Sequence, residues 1–118
     1  MVSKKHNRKY IPERGDIVWL SFSPTKGHEQ SGRRPGLVIT SKQFNAKSGI
    51  ALVAPITSTV RGYGTEVTFQ TNHTKGAVLV HHTKSIDWKA RKAEKSDSVS
   101  TEVVGSVQDV LVSLVLSE

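Results

Sequence analysis

Asp16-Ile-Val-Trp-Leu-Ser-Phe22 is an apolar, partly β-branched run too short for a helix, and the long polar segment from Ser23 to Arg33 closes it. Gly36-Leu-Val-Ile-Thr40 repeats the pattern and runs into a polar loop around Asn45 and Gly49. Ile50-Ala-Leu-Val-Ala54 predicts a third strand that ends at Pro55, because proline offers no amide to a ladder. Thr65-Glu-Val-Thr-Phe69 alternates with period two, as a half-exposed strand does. Ala77-Val-Leu-Val80 reads as a buried strand after the turn residue Gly76, and Ser85-Ile-Asp-Trp88 as a short sixth. Five or six short strands joined by polar turns predict a mainly β chain, built as a small antiparallel sheet or barrel.

The C-terminal segment changes period. Val103, Val104, Val107, Val110, Leu111, Leu114 and Val115 follow helical spacing, with Glu102, Ser106, Gln108 and Ser113 on the opposite side. Ser100 is placed to cap such a helix, and Glu102 in the first turn suits its dipole. The many valines and Gly105 leave a pair of strands as the competing reading.

With 118 residues the chain makes one domain, and with no cysteine it has neither disulfides nor thiolate metal sites. No apolar run approaches the ~20 residues of a membrane span, and Met1 to Tyr10 lacks the apolar stretch of a signal peptide. A soluble, cytoplasmic protein with no membrane contact is expected. There are 17 basic and 10 acidic side chains, a net charge of +7, but the excess is not uniform. Residues 1–9 carry Lys4, Lys5, Arg8 and Lys9 without an acid and read as a basic flexible tail ahead of a domain over 10–118. Residues 96–118 carry Asp97, Glu102, Asp109 and Glu118 without a Lys or Arg. One end repels phosphate while the rest attracts it, so nucleic acid leads the partner classes on charge.

Gly27-His-Glu-Gln-Ser-Gly-Arg-Arg-Pro35 is the first segment suited to chemistry. Pro35 disfavours helical backbone at Arg34, which leaves an extended arginine at the start of a strand. Its guanidinium can hold a phosphate bidentately, or simply be solvated. Thr57, just past Pro55, can bond a phosphate oxygen or a ribose hydroxyl, or close a local turn.

Gly15-Asp-Ile-Val-Trp19, Pro24-Thr-Lys-Gly-His-Glu-Gln-Ser-Gly-Arg-Arg-Pro35, Pro55-Ile-Thr57, Gly62-Tyr63 and Lys84-Ser-Ile-Asp-Trp88 together resemble the MazF/PemK family of toxin endoribonucleases. The resemblance runs in order from about residue 10 to residue 95, and the apolar C-terminal segment fits the family's final helix. It implies a small SH3-like barrel with a C-terminal helix, acting as a homodimer. It also implies sequence-specific, metal-independent cleavage of single-stranded RNA, chiefly mRNA, with no cofactor, which inhibits translation and growth. The products would carry a 2′,3′-cyclic phosphate and a 5′-hydroxyl, and a MazE-like acidic antitoxin would restrain the activity. Arg34 falls on the family's catalytic arginine, Thr57 on its catalytic threonine, and Glu29 on an acidic loop residue implicated in some members.

Those residue types suit the reaction. The RNA supplies its own nucleophile, so the protein must position the phosphate, neutralise its oxygens and move two protons. Arg34 suits charge neutralisation, Thr57 orientation, and Glu29 proton acceptance. One position departs from the family pattern: His81-His82 stands where many relatives carry an Asp-Gln pair whose aspartate can act as base. A histidine titrates near neutrality and can replace it. Strand alternation would send the two rings to opposite faces, which favours one of them, His82, as base and argues against a shared metal. Gly64 also stands where relatives often have proline. Lys26, His28, Gln30, Arg33, Arg61, Tyr63 and His81 complete the expected RNA contacts, Tyr63 by stacking on a base.

Two other functions compete. A CcdB-like toxin shares the fold but poisons gyrase through a C-terminal Trp-Gly-Ile tip, whereas this chain ends Val115-Leu-Ser-Glu118. The second is a non-catalytic RNA-binding barrel that uses the basic surface alone.

Overall fold

The computed structural model describes residues 9–22 and 32–117. Residues 1–8 of the basic tail and Lys26, His28, Glu29 and Gln30 fall outside the described residues.

Seven strands and two helices are described: β1 (Asp16–Ser21), β2 (Arg33–Val38), α1 (Lys42–Ser48), β3 (Ile50–Thr57), β4 (Glu66–Gln70), β5 (Lys75–Leu79), β6 (Lys84–Asp87), β7 (Glu94–Ser98) and α2 (Thr101–Leu116). All pairings are antiparallel, in the order β4-β5-β3-β2-β1-β7, with β6 also on β3. β3 is the spine. One of its edges carries β2; the other carries β6 along Ile50 to Val53 and β5 at Ile56 and Thr57. Pro55 therefore does not end the strand, contrary to expectation. It sits at the gap between the two partners of that edge, where an amide is not required.

Alternation then decides the core. Ile17, Leu37, Ile39, Ala54 and Ile56 face one side with Phe69, Val78 and Val80, and α2 covers them through Val103, Val107, Val110 and Leu111. Val18, Leu20, Phe22, Val38, Ala51 and Val53 face the other side with Ile86, closed by Tyr10 and Trp88. The C-terminal helix forms as the spacing predicts, and Ser100 caps it by accepting from the Val103 amide at 3.2 Å.

Three elements differ from the sequence reading. The polar stretch around Asn45 is α1, capped by Ser41 and ended by Gly49 at φ +79°. Its fixing residue is polar and fully buried: Asn45 donates to the carbonyls of Pro12 and Thr40 at 2.8 and 3.1 Å, and the Trp88 indole donates to its carbonyl. β7, Glu-Lys-Ser-Asp-Ser, has no apolar residue and is a strand because β1 pairs with it. Residues Val80–His82 form a 3₁₀ turn rather than a strand end. The barrel is also open, because β4 and β7 do not pair. Side chains join its two ends instead: the Thr71 hydroxyl donates to Asp97 Oδ2, and Thr74 Oγ1 does so at 3.2 Å.

Candidate active site

β2 and β3 pair Gly36 with Pro55 and Val38 with Val53. Continued two residues outward on each strand, this register sets Arg34 level with Thr57. Both residues share parity with Val38 and Val53 and so belong to the same face of the sheet as that core. Arg34 is exposed and opposite Leu20 of β1. Its guanidinium takes part in none of the hydrogen bonds described. Register alone thus brings the backbone of an exposed arginine level with a threonine on the neighbouring strand.

Thr57 closes the local turn that the sequence allowed: its Oγ1 accepts from the Thr59 amide at 3.0 Å. That bond uses an oxygen lone pair and leaves the O–H to donate to a ligand. Beneath Thr57 lies Gly76. A Cβ there would stand 2.4 Å from the Thr57 carbonyl oxygen and 3.3 Å from its carbon, so only glycine permits this approach.

The loop 58–64 follows Thr57 directly and carries Arg61 and Tyr63, both exposed. Gly62, at φ +81°, lets successive amides turn toward one acceptor. Glu66 Oε1 is that acceptor, at 3.1 Å from the Arg61 amide and 2.9 Å from the Gly62 amide. Sequence reading missed Glu66 as anything but the polar side of an alternating strand, and it missed the close approach at Gly76. No local signal announces either, since each depends on a contact across a turn or a strand pair.

Arg33 lies apart from Arg34. It points the opposite way from β2, ion-paired with Glu94 at 3.1 Å and donating to the carbonyls of Trp19, Arg91 and Lys92. Arg91 in turn donates to the carbonyls of Ser21 and Phe22 at 2.9 and 2.7 Å. These two arginines brace the ends of β1 and β2 rather than join the Arg34 face.

The histidine pair requires a correction. Because residues 80–82 turn as a 3₁₀ helix, alternation does not apply, and both rings are exposed with centroids 4.2 Å apart, edge to face. They also lie between β5 and β6 on the edge of β3 away from β2. Lys84 already pairs with Val53, so the turn is three to four residues from the level of Thr57, about 10–13 Å at ~3.3 Å per residue. Within one chain, His82 is not brought to Arg34 and Thr57 as their base, nor His81 as their neighbour. Among the described residues no cluster of three or more His, Cys, Asp or Glu side chains could hold a metal.

An open antiparallel sheet covered by a C-terminal helix, with an exposed arginine and a threonine hydroxyl near the ends of two neighbouring strands, defines a class of small mainly β proteins. Comparison with known proteins narrows it. Residues 13–115 match the family described as PemK-like, MazF-like toxin of type II toxin–antitoxin system, and the chain belongs to that family. It is 40% identical over 94 residues to the endoribonuclease toxin MazF of Escherichia coli K12, covering 80% of this chain and 85% of that one. Crystal structures from Deinococcus radiodurans superpose well. MazF alone gives a TM-score of 0.81 at 40% identity, covering 90% of this chain and 97% of that one. The MazE–MazF complex gives 0.83 at 39% identity, covering 92% and 99%.

Proposed function

We propose that the chain is an endoribonuclease toxin that cuts single-stranded RNA, chiefly mRNA, at the face shared by Arg34 and Thr57. The observation that carries this is the β2–β3 register, Gly36 with Pro55, which continued outward sets Arg34 and Thr57 level on one face. It is supported by membership of a family whose similar proteins are named endoribonucleases.

The ribose 2′-hydroxyl attacks the adjacent phosphorus. Arg34 neutralises the charge that grows on the non-bridging oxygens, and the Thr57 O–H orients one of them. As the 2′-oxygen bonds to phosphorus the P–O5′ bond breaks and the leaving 5′-oxygen takes a proton from water, so the products are a 2′,3′-cyclic phosphate and a 5′-hydroxyl, with no metal in any step. Glu29, five residues before Arg34 in the chain, is the carboxylate assigned to take the 2′-hydroxyl proton. Arg61 and Tyr63, with Lys26, His28 and Gln30, contact the flanking nucleotides.

Residues 10–118 act as one domain, working as a homodimer in the cytoplasm. An acidic antitoxin competes with RNA for the basic face, a reading supported by the solved MazE–MazF complexes of similar chains. No helix of the described residues is long and apolar enough to cross a membrane.

Incubation with a long single-stranded RNA in EDTA tests the activity. Discrete cuts with cyclic-phosphate ends are expected, and light scattering should give twice the chain mass. A salt-sensitive gel shift without cutting would replace the nuclease by a plain RNA-binding protein.

A further inference from the structure

Glu66 sits under the loop 58–64, and its contacts are with backbone rather than with the neighbouring arginine. Oε1 takes both the Arg61 and the Gly62 amides, and the Glu66 amide itself donates to the Tyr63 carbonyl at 3.0 Å. Its other carboxylate oxygen, Oε2, is sealed from water and has no hydrogen-bond partner among the described residues. The side chain is thus committed to the loop from below. Among the described residues Arg61 forms no ion pair, whereas Arg33 is paired with Glu94. An acid beside an arginine ordinarily cancels it. Here the acid's accepting oxygen faces two amides, and the guanidinium keeps its charge for another anion.

We propose that Glu66 is a positioning residue for RNA binding: it fixes the loop so that Arg61 and Tyr63 are presented together to the nucleotides next to the cleaved bond. This rests on the reading of that loop as an RNA contact. The ordering of two rotamer-rich side chains before binding, and not the chemical step, is what Glu66 supplies. The fixed loop sets the half-saturating RNA concentration, while Arg34 and Thr57 set the limiting rate.

The test uses the full chain and a fluorescently tagged single-stranded RNA bearing a cleavage site mapped on a longer transcript. Glu66→Ala should raise the half-saturating concentration about tenfold and leave the limiting single-turnover rate within about threefold. Glu66→Gln should recover most of that loss, because its amide oxygen still accepts from both amides. The double variant Arg61→Ala/Tyr63→Ala should show a similar rise, and adding Glu66→Ala to it should change little, since the loop's cargo is already gone. Thermal midpoints of all variants establish that they are folded, and Glu66→Asp, whose shorter side chain falls short of both amides and should weaken binding like Glu66→Ala, carries the test if Glu66→Ala is not. A fall in limiting rate at unchanged half-saturation, or effects that multiply in the triple variant, would overturn the proposal. If Arg61→Ala/Tyr63→Ala binds RNA normally, the loop is no RNA contact and the proposal falls with it. If that variant is weakened while Glu66→Ala and Glu66→Gln are not, the loop reading stands and Glu66 alone is refuted.

Discussion

Arg34 and Thr57 carry different loads, and substitution separates them. Arg34→Ala should slow single-turnover cleavage by ~10²–10³, the usual loss for a preorganised charge-stabilising donor, with far-UV circular dichroism unchanged. Arg34→Lys should recover little, because an ammonium cannot span two phosphate oxygens. Thr57→Val removes the donor to the phosphate and also the acceptor of the Thr59 amide, so it should slow cleavage more than Thr57→Ser, which keeps both. Equal rates for the two variants would assign Thr57 a purely steric role. Gly76→Ala is the subtler case. The added methyl group must displace the Thr57 carbonyl, so the rate should fall while RNA affinity holds. A wild-type rate for this variant would mean the strand pair absorbs the shift without moving Thr57. The histidine pair belongs on this scale too: His81→Gln and His82→Gln should each leave the pH–rate profile unchanged, given their distance along β3.

Between elements, the link from the β4–β5 turn to β7 depends on one carboxylate. The Thr71 hydroxyl, with smaller help from the Ser98 amide and the Thr74 hydroxyl, holds Asp97 below the ordinary carboxylate range. A depressed folded value means that this stabilisation is complete above the unfolded pKa of ~3.9 and is lost as pH falls through the folded value. Thermal midpoints measured downward from pH 5 should therefore drop less steeply for Asp97→Asn than for the unaltered chain. Parallel curves would show that the link contributes nothing to stability.

The same elements explain what could be read from the chain. Strands with apolar alternation, such as β1 and β3, announce themselves, and so does α2 with its Ser100 cap. β7 does not, because nothing in Glu-Lys-Ser-Asp-Ser signals a strand except β1 beside it. α1 does not, because its single large apolar residue, Phe44, is exposed and its anchor is the buried Asn45. Arg34 and Thr57 were each legible as candidates. Their level placement was not, since it follows from the β2–β3 register, which no local sequence signal carries. The histidines misled because a strand was extended through Val80 where the chain in fact turns.

For the whole molecule, charge is the organising quantity. Residues 1–95 carry +11 and residues 96–118 carry −4, which gives the net +7, and α2 holds Glu102 and Asp109 with no basic residue. RNA affinity should fall with salt, with a log–log slope near −0.7 for each phosphate neutralised on a single strand. Binding independent of salt between about 50 and 200 mM would contradict the electrostatic account. Antitoxin affinity should weaken over the same range, because it draws on the same surface.

Among the described residues no strand pairs with the outer border of β7, whose Glu94, Lys95 and Asp97 are held to Arg33, Asp16 and Thr71, and a bulge at Ser96 breaks its register with β1. Charged side chains and a kink are what keep one sheet from adding to another. The chain should therefore stay clear in concentrated solution, and replacing Glu94, Lys95 and Asp97 together by threonine should turn that border into a seed for fibres stainable with thioflavin.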